Sequence, residues 1–358
     1  MKPLLPNTYV LNNKYLQSII SPSTDIIDYN FTSEQVHKLN LLQILRPDIY
    51  FNKNLSEEEF FDLSKKYYQK LIDEEIIYKS EKEYFLYRID SENHSQTGLI
   101  SLLNIQDYIN RNIKPHEKIL VSKGKERADQ LSKVKFQLSP IYLFYDDENI
   151  DLNLDIHHDK KPIIKFKSGK YTHSIYKTNT DFSGINFKEL FVADGHHRIE
   201  GFAQLDVDKD TKFLSILFPK SKCLNLSYNR SIKFPKDYKK DSFLTDLRKY
   251  FHAEELKYHE KIERFFVIYF EGKFFKIDLK DNYSSNGADC IDFGEFVLKE
   301  ILNIYDETSD ERVEFVPPTL GTDYLINQVD TGITDLSTLM RPVTVSYTHL
   351  TLPTMDSV

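Results

Sequence analysis

The sequence predicts an α/β (α+β) fold: a mixed sheet, followed by a smaller α/β part towards the C-terminal end. Three observations predict it. Short runs rich in β-branched and aromatic residues recur along the chain, at Tyr84–Ile89, Gly98–Leu103, Pro140–Tyr145, Thr172–Tyr176 and Lys212–Phe218. Helical apolar spacing alternates with them. At residues 190–205 one apolar run turns directly into a helical pattern, which is how a strand feeds a helix. Hydrophobic residues make up 40% of the chain, enough for a sizeable core and too many for whole-chain disorder.

The elements follow in order. Residues 1–30 carry no regular pattern, and Asp25 before an apolar pair reads equally as a turn residue or as part of a functional loop. Leu39 to Leu45 is an apolar element that Pro47 ends, with Arg46 either an anion contact or one half of a surface ion pair. Ser56-Glu57-Glu58-Glu59 is a capping box, and Phe60, Leu63, Tyr67 and Leu71 follow at helical spacing as a core-facing stripe. Tyr84–Ile89 and Gly98–Leu103, joined by a polar turn, predict an antiparallel pair. Pro162–Phe166 and Thr172–Tyr176 predict a hairpin turning at Ser168-Gly169. His157-His158 sits in an acidic loop with no third ligand at metal-binding spacing.

Composition shifts to lysine and aspartate at Pro235–Asp241, which places a boundary between a first domain, 1–235, and a C-terminal α/β subdomain, 236–345. Within the latter, Ser242–Phe251 and Asp292–Ile304 read as helices. Phe265–Phe270 and Lys273–Leu279 read as a hairpin across Glu271-Gly272, and Val313–Val316 reads as a strand.

The chemistry concentrates at Leu190-Phe191-Val192-Ala193-Asp194-Gly195-His196-His197-Arg198. A strand that becomes a helix leaves backbone N–H groups at the helix start, where the dipole is positive and an anion is favoured. Gly195 lets backbone come close to a ligand, because it has no Cβ. His196, His197 and Arg198 bring further donors, and a guanidinium matches the geometry of phosphate. Asp194 has three open roles: helix N-cap, metal ligand or base. His116-Glu117, between Lys114 and Lys118, offers a second carboxylate that could serve as a base or a metal ligand.

Ala-Asp-Gly-His-His-Arg at 193–198 resembles the signature of the family called domain of unknown function 1015. Further segments fall in that family's order: Thr97-Gly98-Leu99-Ile100, Ile113 to Lys118, Ser139-Pro140-Ile141-Tyr142-Leu143, Tyr228-Asn229-Arg230, Asp292 to Ile301, and Met340 to Val345. The resemblance implies a ParB/sulfiredoxin-like core over residues 1–235 and a relationship to free-serine kinases. It implies phosphate binding by Gly195, His196, His197, Arg198 and Arg230, and catalysis by Asp194, Glu117 and His116. It further implies Mg²⁺ at Asp194 and ATP, ADP or pyrophosphate as phosphate donor. The expected activity is transfer of a phosphoryl group to a small-molecule hydroxyl, with free L-serine foremost. The alternative is a nucleotide-binding regulator without turnover. The family has a threonine where Ile119 stands here, so no hydroxyl contact carries over to that position.

Other readings fall away on the sequence itself. A net charge of −8 and the absence of a basic recognition helix argue against a nucleic-acid partner. No segment has membrane-span length and the start is not a secretory signal, so the expected address is the cytoplasm with no membrane partner. Sulfiredoxin-like repair needs a cysteine in the phosphate-binding motif, where His196 stands; Cys223 and Cys290 are both remote from it in sequence. No Walker-type loop or protein-kinase catalytic-loop motif is present. After Val345 the family supplies a basic, proline-stiffened segment, whereas Ser346 to Val358 looks like translated adapter sequence. The expectation is that residues 346–358 are non-native and that the true protein is longer.

Overall fold

The computed structural model describes residues 1–21, 33–51, 54–92, 94–115, 128–129, 131–146, 150, 152, 154, 156, 160–168, 171–205, 210–223, 229–256, 266–285, 289–307, 310–316 and 320–341. The chain divides into two compact units, Met1–Leu224 and Asn225–Val358. That division comes before Pro235, because the strand carrying Asn229 to Ile232 pairs with Val313–Val316 and with Leu336–Leu339 in the second unit's sheet. The tail at 346–358 lies outside the described residues.

The first unit opens with β1 (Tyr9–Leu11) and α1 (Leu16–Ile19), then α2 (Leu42–Leu45) and α3 (Glu57–Asp73). β1 pairs with β2 (Ile77–Lys79) as a small antiparallel ribbon. Helix α3 begins where the capping box places it. Ser56 Oγ accepts from the Glu59 N–H at 3.3 Å, and Glu59 Oε2 accepts from the Ser56 N–H at 2.8 Å. Its buried face is Phe61, Ser64, Tyr67 and Leu71, one position round from the expected Phe60 and Leu63. The small Ser64 fits there because its hydroxyl donates to the carbonyls of Phe60 and Ile44. Arg46 takes the ion-pair option, with Asp48 Oδ2 at 2.7 Å.

Eight strands form the main sheet: β3 (Tyr84–Asp90), β4 (Ser95–Asn104), β5 (Ile113–Lys114), β6 (Ile141–Tyr145), β7 (Ile164–Ser168), β8 (Tyr171–Thr178), β9 (Leu190–Asp194) and β10 (Lys212–Pro219). Their order is β5-β9-β6-β10-β4-β3-β8-β7. The β5–β9 and β6–β10 pairs are parallel and the rest antiparallel, so the sheet is mixed. Both expected antiparallel pairs are present, as β3–β4 and β7–β8.

Helix α4 (Ile105–Ile109) follows β4, and α5 (His196–Gln204) lies between β9 and β10. Ile199 and Phe202 of α5 pack with Leu99, Leu143, Val192 and Leu217, alternate residues of their strands. Each such buried side chain contributes roughly 1.5–3 kcal/mol. The intervening strand residues build a second cluster of Tyr87, Ile216 and Phe218, joined by Ile100, Tyr142, Ile175 and Cys223. Gly98 makes room for it: a Cβ there would meet Ile216 Cγ2 at 2.7 Å and the Phe218 ring at 2.8 Å.

The second unit is a six-stranded antiparallel sheet with helices. It contains β11 (Asn229–Ile232), α6 (Phe243–Tyr250), β12 (Phe251–Leu256), β13 (Phe266–Phe270) and β14 (Lys273–Leu279). After them come α7 (Asp289–Asp292), β15 (Val313–Val316), α8 (Gly321–Asp330) and β16 (Leu336–Leu339), with strand order β12-β14-β13-β16-β11-β15. The β13–β14 turn has positive φ at both Glu271 (48°) and Gly272 (75°), the twist that suits a two-residue hairpin. The expected helix after Asp292 widens into a π-helix over Phe293–Lys299. There the Glu300 N–H reaches the Glu295 carbonyl, five residues back, and Phe293, Val297 and Leu298 all turn inward. Among the described residues, no helix is long and apolar enough to cross a membrane.

Candidate functional site

The chemistry-bearing turn joins β9 to α5. The first three residues of β9, Leu190 to Val192, are buried, and then the register slips. Phe191 pairs with Phe144 and Val192 with Leu143, but Tyr142 pairs with Asp194, leaving Ala193 as the extra residue of a β-bulge. A bulge shifts the side-chain alternation by one position. Asp194 therefore shares the sheet face of Tyr142 instead of continuing the Leu190–Val192 row that packs under α5.

Gly195 follows at φ 97°, ψ 26° and is the N-cap of α5, with no side chain capping the helix. This φ needs glycine, and so does the space. A Cβ would lie 3.1 Å from Arg198 Nε and from its Nη2. The N-cap option for Asp194 is thereby replaced: its carboxylate accepts a short hydrogen bond from Arg198 Nη2. Arg198 Nη1 donates to the Pro140 carbonyl at 2.8 Å. The guanidinium thus bridges the start of β6, the end of β9 and the first turn of α5. The Asp194 side chain stays 65% exposed, so this carboxylate faces solvent while the Arg198 side chain is half-buried.

The two histidines part ways. His196 is buried on the side of α5 that carries Ile199, and His197 is half-buried. Glu200, one turn on, accepts from the Tyr108 hydroxyl of α4 at 2.9 Å, which ties α5 to α4. Burial and this carboxylate push the Tyr108 phenol well above its ordinary range.

β5 runs parallel to β9, with Ile113 opposite Leu190 and Lys114 opposite Phe191. Both strands therefore run towards the same end of the sheet. Lys114 Nζ donates to Glu189 Oε1 at 2.5 Å and lies 5.7 Å from the centre of the Phe191 ring. His116, Glu117, Lys118 and Ile119 lie outside the described residues, as do Tyr228 and the His157-His158 pair.

Arg230 belongs to β11 of the second unit and is buried. Its guanidinium pairs with Glu307 at 3.1 Å and lies 4.7 Å from the centre of the Phe315 ring, and its N–H donates to Thr338 Oγ1. Arg341 pairs in the same unit with Asp289.

Tyr142 has no role in the sequence reading, although Ser139 to Leu143 is one of the segments that carry the resemblance. Its hydroxyl donates to the Tyr87 hydroxyl at 3.5 Å, and the Tyr87 hydroxyl lies 2.6 Å from His173 Nδ1. Burial pushes the Tyr142 phenol up, and the nearby Asp194 carboxylate adds to this while Tyr87 and Arg198 oppose it. Burial also holds the His173 imidazole below its ordinary value, which favours a neutral ring whose Nδ1 accepts from Tyr87. The signal that could have found Tyr142 is its place directly opposite the turn, which needs the strand pairing and not the strand alone.

Among the described residues, no group of three His, Cys, Asp or Glu side chains could hold a metal. Asp194 offers a single exposed carboxylate. That fits Mg²⁺, which is commonly held by one or two carboxylates together with substrate phosphates.

Fold and turn together define an α/β protein on a mixed sheet, with a strand–bulge–glycine–helix turn at the end of β9, the second strand of that sheet. The model of the family described as "Protein of unknown function (DUF1015)" matches residues 3–302, and the chain belongs to that family. No curated protein matches it. Similar solved structures include a conserved hypothetical protein from Pyrococcus furiosus, with TM-score 0.36 and 13% identity over 70% of this chain and 84% of that one. A free serine kinase in complex with AMP has TM-score 0.36 and 13% identity, over 70% and 79%. SbnI with C-terminal truncation, from Staphylococcus aureus, has TM-score 0.38 and 11% identity, over 72% and 79%.

Proposed function

We propose that this chain is a small-molecule kinase that transfers a phosphoryl group from a nucleotide or pyrophosphate to a hydroxyl, with free L-serine as the acceptor. The observation that carries the reading is the β9–α5 turn: a glycine at positive φ, a helix start without a side-chain cap, and a guanidinium packed on that glycine. Such a turn matches what phosphoryl transfer requires, which is positioning and charge neutralisation more than covalent help. The choice of serine rests on the family resemblance.

In this reading the Gly195–His197 backbone and Arg198 receive the phosphate oxygens of the donor. When bound, Mg²⁺ neutralises phosphate charge beside the exposed Asp194 carboxylate. The acceptor hydroxyl oxygen bonds to the transferred phosphorus as the bond from phosphorus to the donor's bridging oxygen breaks. The hydroxyl proton passes to Glu117 or Asp194. Support for Glu117 is its place in the family's order, two residues after Pro115. The reading does not need Arg230, whose charge Glu307 already neutralises.

The test is calorimetry of the full chain with ATP, ADP and pyrophosphate, followed by phosphorus NMR of the same mixtures with L-serine and Mg²⁺. Formation of phosphoserine supports the kinase. Tight nucleotide binding with no phosphoserine from any donor would instead make the chain a nucleotide-binding regulator. Absence of binding to all three donors would overturn both.

A further inference from the structure

Beyond the turn itself stand the shallow cleft at Cys290 and Tyr305, the Arg341–Asp289 and Arg230–Glu307 pairs, and the linked phenols of Tyr142 and Tyr87. In the first three each cation already has its carboxylate. The phenols carry an inference.

We infer that Tyr142 is a positioning residue for the Asp194–Arg198 pair, held in place by its hydroxyl bond to Tyr87 and, through Tyr87, by His173. The inference rests on the proposed role of the β9–α5 turn and adds a residue to it.

Ala193 has no partner in β6, so the face that Asp194 takes depends on its single pairing with Tyr142 beyond the bulge. The residue opposite Asp194 is Tyr142, and two positions earlier, just ahead of β6, is Pro140, whose carbonyl holds Arg198. A short stretch at the start of β6 therefore braces both members of the ion pair.

Tyr142 is itself braced from the far side. Its ring packs edge-on against Phe218, with centroids 5.8 Å apart, and its hydroxyl meets that of Tyr87. Tyr87 belongs to β3, and β10 and β4 lie between β3 and β6. Two phenols reach towards each other over those strands, above Gly98, where a Cβ would displace Phe218. Tyr87 then ends on His173 of β8, whose ring stacks on Phe166 at 4.8 Å. A hydroxyl-to-imidazole chain of this kind costs desolvation of two phenols. An apolar cluster would not require it, because Phe fills the same volume.

The test uses Tyr142→Phe and Tyr87→Phe in the full chain, with two readouts. The first is the Arg198 Nε–H signal in nitrogen-15 NMR, assigned by its loss in Arg198→Lys. Both phenol variants should shift it and speed its exchange with water, while melting and the other arginine signals stay as in the parent. The second is affinity for inorganic pyrophosphate, expected to fall about three- to tenfold in each variant, the size of one lost hydrogen bond. An unmoved Arg198 signal in both variants would overturn the inference. So would parent-like pyrophosphate affinity, given that the parent binds. If the parent binds neither pyrophosphate nor nucleotide, the proposed function falls, while the Arg198 signal still decides the role of Tyr142.

Discussion

Tyr142 and Asp194 stand opposite each other across the bulge between β6 and β9, and that pairing turns the Asp194 carboxylate off the helix-packed face of the sheet. Without Ala193 as an extra residue, strand alternation would carry Asp194 under α5, among Leu143, Val192 and Ile199. The exposed carboxylate is thus a product of register and not of sequence polarity alone.

Gly195→Ala is expected to destabilise the fold by about 1–2 kcal/mol, the usual cost of left-handed backbone with a side chain. Its Cβ would also push on Arg198 at 3.1 Å and loosen the ion pair. Urea denaturation measures the first effect. Loss of anion affinity beyond what the stability change explains measures the second, and a variant as stable as the parent would contradict the assigned φ of 97°.

Arg198→Ala is expected to weaken phosphate or nucleotide binding by on the order of 2 kcal/mol, the size of a lost charge-assisted contact. Arg198→Lys should not restore it, since one ammonium cannot hold the Pro140 carbonyl and Asp194 together as the guanidinium does. Calorimetry checks both, and unchanged affinity in a folded Arg198→Ala protein would remove this turn as the binding site.

Much of the fold is legible in the sequence because the hydrophobic period changes cleanly. Leu190–Ala193 reads as a strand, Ile199 to Leu205 as a helix face, and Glu271-Gly272 as a hairpin turn, and the structure has all three. What stays hidden depends on partners. β12 reads Phe-His-Ala-Glu-Glu-Leu and looks polar until β14 pairs with it along six residues. β16 is four residues long and buries Ser337, whose hydroxyl is satisfied by Ser231 and by the Leu325 carbonyl. In the site, Gly195 and Arg198 are visible as residue types, but the bulge at Ala193 and the bracing by Tyr142 exist only once β6 lies beside β9. Arg230 is placed among the phosphate ligands by the resemblance, and its burial against Glu307 and Phe315, both distant in sequence, is not legible from the chain alone.

Ser56→Ala is expected to cost about 1 kcal/mol at neutral pH, the usual value of a helix N-cap. Ser56 also holds the Glu59 carboxyl below the usual carboxylate range, through its hydroxyl first and its N–H second. A depressed folded pKa gives stability that is complete above the ordinary carboxylate value and is lost as pH falls through the folded value. The gap between parent and variant should therefore narrow on acidification below that range. Melting curves from pH 7 to pH 3 check it, and a gap that widens in acid would contradict the Ser56–Glu59 bond.

Cys223 is the cysteine of the cluster that Tyr87, Ile216 and Phe218 build. Its thiol packs with Tyr87, Tyr142, Ile216 and Phe218 and donates weakly to the Pro219 carbonyl at 3.5 Å. Burial pushes it up to about 12. At pH 8 the thiolate, which is the reactive form, would be roughly one part in ten thousand. Burial likewise raises the Cys290 thiol, with the Arg230 charge partly opposing it. In the folded chain, alkylation of Cys223 by iodoacetamide at pH 8 should therefore be far slower than for a free peptide thiol. It should reach the peptide rate only as urea unfolds the first unit, because unfolding both exposes the sulfur and restores its ordinary pKa. Mass spectrometry of peptides after timed labelling gives the rate at each cysteine separately. Slow labelling that tracks unfolding would agree with His196, and not a thiol, standing in the motif, and would leave cysteine-based repair chemistry without a nucleophile in this cluster. Rapid labelling of Cys223 in the folded chain would show a reactive thiol beside Tyr142 and would reopen that chemistry.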